Sequence, residues 1–163
     1  MKRIILATAC GMLTLAGTGA IANGPSDTDS FTIKGKVSMY CNLINNSIDS
    51  VSMVDLTTTS EQTLGSYTYK CNNPGGFERT IESENSGVLS GSPDIPYYLS
   101  HGGGSGLAFS AQQLTSPRTD QLCGSQAFAN GQTGSVRFSL PESAENQMAG
   151  TYSDQVTFSI TAN

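Results

Sequence analysis

Positive charge is scarce in this sequence: eight lysines and arginines and one histidine in 163 residues, against thirteen acidic residues. That leaves no basic stripe for a nucleic-acid backbone and no Lys/Arg cluster of the kind anionic lipid surfaces attract. One histidine, with cysteines widely spaced at Cys10, Cys41, Cys71 and Cys123, does not supply the ligands of a zinc site. Helix-forming Ala-Leu-Glu-Lys stretches are few, and after the N-terminal region no apolar run is long enough to insert in a bilayer. No Gly-x-Ser-x-Gly turn accompanies His101, and no acid is placed to orient it. His101 therefore reads as a solvated loop residue, and no catalytic machinery is expected. Gly102–Gly106 lacks the lysine and the strand-to-helix context of a phosphate cradle. Asp27 and Asp29 lack the rest of a calcium loop. No cofactor or metal is expected.

What is present begins with Met1-Lys2-Arg3 and a small-residue apolar run from Ile4 to about Ala16, closing on Ala20-Ile21-Ala22. This pattern predicts a secretory signal peptide over residues 1–22. Cys10 does not mark a lipoprotein site, because Ala7 stands where leucine is preferred and the apolar run continues past it. The remainder, about 140 residues from Asn23, has the size of one domain and a formal charge of about −7. An exported chain meets an oxidising compartment, where cysteines pair by default. Cys41 and Cys71 each adjoin an apparent strand and are assigned to one another. Such a bridge is worth roughly 3.5 kcal/mol by chain entropy. Cys123 lies in Arg118–Gly124, a polar stretch that reads as loop; its thiol is free, joined to another chain, or the partner of one of the other two.

Short β-branched and aromatic runs alternate with polar turns along the remainder, the pattern of an all-β domain. After a polar leader, Phe31, Ile33, Gly35, Val37 and Met39 alternate with Thr32, Lys34, Lys36 and Ser38, which predicts a half-buried strand. Further strands are predicted over 52–59, 64–71, 77–81, 95–100 and 136–140, with a turn at Asn72–Gly76 and a mobile loop at 101–106. In the final segment Tyr152, Asp154, Val156, Phe158 and Ile160 share one face of a strand. Residues 143–148 are the one helix candidate. The spacing of these strands argues for a sandwich.

Three features carry a resemblance. They are the alternating strand running into Cys41, the Tyr97-Tyr98-Leu99 strand with its glycine-rich loop, and the ending Ala149-Gly150-Thr151-Tyr152-Ser153-Asp154-Gln155-Val156-Thr157-Phe158-Ser159-Ile160. Together they resemble the spore coat protein U group, which includes subunits of archaic chaperone–usher pili. The resemblance implies an incomplete immunoglobulin-like β-sandwich that lacks its last strand. A periplasmic chaperone would fill the gap first; at the outer-membrane usher, the N-terminal segment of another subunit would replace it. After the signal peptide (1–22), it further implies a leader with donor strand (23–40) and a pilin-like domain (41–163). Phe31, Ile33, Gly35, Val37 and Met39 would form the donor strand, and Tyr152, Val156, Phe158 and Ile160 an edge strand of the acceptor groove. The implied function is that of a structural subunit of a surface pilus, exported through the periplasm, supporting adhesion or biofilm formation. Its partners would be chaperone, usher and other copies or related subunits. The alternative is a secreted coat or matrix protein of the same fold that closes its own sandwich and binds a surface ligand. Cys123 and the ending Ala162-Asn163 depart from the family's single disulfide and its frequent aromatic terminus.

Overall fold

The computed structural model describes residues 27–163, so the predicted signal peptide and the first residues of the leader lie outside the described residues. The chain divides into two units, residues 1–36 and residues 37–163. In the first, residues 27–36 have no regular secondary structure and are all exposed.

The second unit is nearly all β. Its strands are β1 (Cys41–Asn45), β2 (Gln62–Cys71), β3 (Phe77–Ser83), β4 (Val88–Leu89), β5 (Ile95–Pro96), β6 (Tyr98–His101), β7 (Phe109–Gln112), β8 (Arg118–Leu122), β9 (Gln132–Ser139) and β10 (Val156–Ala162); one short helix, α1 (Gln126–Asn130), precedes β9. Five strands form one sheet in the order β1-β2-β9-β6-β7, three form a second in the order β10-β3-β8, and β4 pairs with β5. All pairings are antiparallel.

Strict alternation makes the inner faces. In β3, Phe77, Arg79, Ile81 and Ser83 are buried while Glu78, Thr80 and Glu82 point the other way; in β9, Gly134, Val136 and Phe138 are buried. Ile81 of β3 packs in one cluster with Leu99 of β6 and Val136 and Phe138 of β9, so the two sheets face each other across a shared core. A second cluster joins Tyr69, Phe77, Leu122 and Phe128. Phe128 is delivered by α1, which Ser125 caps by accepting from the Phe128 N–H at 3.3 Å, and its ring meets Phe77 edge-on at 4.9 Å. Cys41 and Cys71 are directly opposite in the β1–β2 ladder and are disulfide-bonded; Cys123 is free and exposed.

Several expectations are corrected. Residues 31–39 form no strand and are exposed: alternation prepares a face, but a strand needs a partner ladder. Residues 52–59 likewise lack a ladder, although Val54 and Leu56 pack against the core while Val51 and Met53 point outward. The segment 118–122, read as loop, is β8, whose inward residues Arg118 and Asp120 are ion-paired. Residues 143–148 are not helical, and the helix is α1. His101 is not solvated; it ends β6 and is 2% exposed.

Candidate functional site

Among the described residues β10 pairs with β3 alone and β1 with β2 alone, so each is the edge of its sheet. The two edges run alongside one another on opposite layers. Along β10, Val156, Phe158, Ile160 and Ala162 face inward and Thr157, Ser159 and Thr161 outward. The inward side chains are only half-buried, whereas Ile81, their neighbour on β3, is fully covered. From the other layer the partly buried Leu43 and Tyr67 complete the seam, with the Tyr67 ring 4.8 Å from that of Phe158. The result is a half-buried apolar seam, or slot, flanked by two unpaired main-chain edges, and an unpaired edge is where a further strand can add.

The entry to β10 is fixed by polar contacts. Tyr152 is corrected here: it precedes β10, next to an isolated bridge in which Ser90 and Ser153 exchange N–H···O bonds of 2.8 and 3.2 Å. Its ring lies so close to Gly91 that a Cβ there would come within 2.2 Å of the ring, and its hydroxyl donates to Met148 O at 2.6 Å. Asp154 is the hub. Its carboxylate accepts from Ser83 Oγ and the Tyr97 hydroxyl at 2.5 Å each, from the Asn85 N–H at 2.9 Å and from the Gln155 N–H at 2.8 Å. Burial, and then the bond to Asp154, push the Tyr97 hydroxyl pKa well up. Asp154→Ala would leave two buried hydroxyls and the Asn85 N–H without their acceptor. It is expected to destabilise the domain by about 2–3 kcal/mol, lowering the Tm by about 10 °C in a circular-dichroism melt.

Behind the slot sits a buried ionic network. Arg79, fully buried, donates to Asp120 Oδ2 from Nη2 at 2.6 Å and from Nε at 3.2 Å, and to Leu107 O from Nη1 at 3.0 Å. Arg118 donates to the same carboxylate at 2.5 and 3.1 Å and stacks over Phe109 of β7 at 4.4 Å, closing the far edge of the two layers with charge. Burial works to raise Asp120, but hydrogen bonds from Arg79 and Arg118, with their charges, hold it below the ordinary carboxylate range. His101 Nε2 shares a hydrogen bond of 2.9 Å with the Tyr69 hydroxyl, and its ring lies 6.3 Å from that of Phe158. A Cβ at Gly134 would come within 2.0 Å of the His101 ring, so glycine is required there. Burial, and then the Arg79 charge, push His101 down to about 4.

No family model matches this chain, and no curated protein matches it. Of the residues singled out in the sequence, Val156, Phe158 and Ile160 come together on the open edge. Phe31, Ile33, Val37 and Met39 are 86, 83, 85 and 63% exposed. A Cβ on Gly35 would meet nothing within 4 Å. Sequence reasoning missed Leu43 and Tyr67, which line the slot from the second sheet. The period-two placement of Tyr67 with Tyr69 was the available signal, since it put that ring on the inner face.

Proposed function

We propose that this chain is a structural subunit of a surface polymer of the pilus type, completed by a strand donated from another copy or a related subunit. One observation carries the reading: β10 offers an unpaired edge with a half-exposed apolar face, while the alternating segment Phe31–Met39 is itself unpaired and exposed. The strand order supports an immunoglobulin-like sandwich short of one strand. The sequence β1-β2-β9-β6 follows the A-B-E-D order of that fold, and β3 with β10 follows C-F, so the missing seventh strand belongs beside β10. An open apolar edge is an aggregation hazard, which is the reason for a periplasmic chaperone as first partner and an outer-membrane usher as the place of exchange. Addition of one chain's strand to the next is head-to-tail, and where the rotation does not close it yields a filament. Adhesion or biofilm formation at the cell surface is the corresponding role.

The test is to express the exported chain in a periplasm, alone and with a periplasmic pilus chaperone, and to size the soluble product. A product soluble only as a one-to-one complex is expected. A stable monomer from the chain alone would mean that the sandwich closes itself, and would favour the self-complemented matrix protein.

A further inference from the structure

Asn72, the residue after β2, holds the chain that leads into β1. Its Oδ1 accepts from the Tyr40 N–H at 2.8 Å and its Nδ2 donates to Ser38 O at 2.9 Å. Its own N–H donates to Tyr40 O at 3.1 Å. Tyr40 is held a second time, its hydroxyl donating to Ala129 O at 2.8 Å, with the Lys70 ammonium 5.9 Å from its ring centre. The Cys41–Cys71 disulfide follows at once. In extended chain the N–H and C=O of one residue point to the same side, and residues two apart share that side. The Asn72 amide therefore occupies the edge that Ser38 and Tyr40 would offer to any other partner.

We infer that Asn72 and Tyr40 form an anchor fixing where the N-terminal arm leaves its domain, so that the segment donated to another copy ends at Val37 and Met39 stays behind. The inference rests on the polymer reading above and refines the donor strand drawn from sequence. Two observations agree with it. Exposure steps down across the anchor, from 85% at Val37 to 63% at Met39. Phe31–Val37 also spans seven residues, the length of β10. An anchored residue 38 leaves almost no free chain between one domain and the strand it donates, so the joint between copies is short and stiff.

The test compares Val37→Asp, Met39→Asp and Asn72→Ala in the full chain expressed with its assembly partners. Val37 and Met39 are exposed, so neither aspartate disturbs the fold. Val37→Asp is expected to lower polymer yield at least about tenfold, Met39→Asp to keep it within about twofold. Asn72→Ala should still polymerise, give more strongly bent filaments in electron micrographs, and speed hydrogen exchange at the Tyr40 amide about tenfold. Loss of polymer in Met39→Asp equal to that in Val37→Asp overturns the inference, as does unchanged Tyr40 exchange in Asn72→Ala. An unaltered chain that makes no polymer overturns the polymer reading instead, and the anchor then stands or falls on Tyr40 exchange.

Discussion

The double substitution Phe31→Asp, Ile33→Asp is expected to abolish polymer while leaving the domain as stable as before. Both side chains are more than four-fifths exposed, so the fold of the isolated chain does not depend on them. Seated in another copy's slot, each would contribute roughly 1.5–3 kcal/mol through burial. An aspartate in its place loses that and adds several kcal/mol for a carboxylate brought out of water without a partner. Two such changes shift the association by on the order of 10 kcal/mol, and every 1.4 kcal/mol is tenfold in affinity. Substitution on the acceptor side, at Phe158, would have a similar effect but disturb the core as well, because Phe158 packs on Tyr67 and beside His101. The arm variant separates the two causes. Urea denaturation of the mature chain should give the same midpoint as the unaltered one, while negative-stain microscopy of cells should show no filaments. Filaments in normal number would mean that the Phe31–Val37 segment is not the donor.

Why some of this was legible in the sequence, and some not, follows from what alternation encodes. Tyr67, Tyr69 and Cys71, or Val156, Phe158 and Ile160, mark a strand because their inner faces are apolar, and those segments are β2 and β10. Period two reports only the face, however. It is equally present in 31–39, where no neighbouring strand supplies the ladder. The opposite failure is β8. Its inward residues Arg118 and Asp120 are charged, so no apolar face announces it, and their burial becomes intelligible only once Arg79 is known to lie across from them on β3. His101 misleads for a related reason. The glycines after it signal a loop, which begins at Gly102, while the space that shelters the ring comes from Gly134, more than thirty residues away. The ending Tyr152-Ser153-Asp154 reads as strand by its pattern. Its work is instead to fix the entry to β10, through contacts with Gly91, Ser83, Asn85 and Tyr97 that no local pattern encodes.

Asp120→Ala is expected to be the most destabilising single substitution in the ionic network, because it leaves the fully buried Arg79 guanidinium without a counter-charge. Breaking one side of a buried pair costs about 3–5 kcal/mol, a large share of the roughly 5–15 kcal/mol that holds a domain together. The stacking of Arg79 over Tyr69 and Phe109, at 5.7 and 5.5 Å, and its bond to Leu107 O remain but carry no negative charge. Replacing both partners, Arg79→Met with Asp120→Leu, should recover most of the loss, since an apolar pair of similar size needs no solvation. Acid acts on the same network in the same direction. His101 has a folded pKa of about 4, below its ordinary 6.5, so the unfolded chain binds more protons between those values. Its contribution is whole above pH 6.5 and declines by about 3 kcal/mol as pH falls to 4. Asp120, also held low, adds a loss of the same sign as pH falls further, through the ordinary carboxylate range and below it. Urea denaturation from pH 7 to pH 4 should therefore show falling midpoints, with the slope lost in His101→Phe. Phe158 lies against His101, so the same acid step should loosen β10 first, seen as faster hydrogen exchange at Val156–Ala162 before Phe77–Ser83 of β3. Stability that stays flat from pH 7 to pH 4 would show that His101 titrates alike in the folded and unfolded chain.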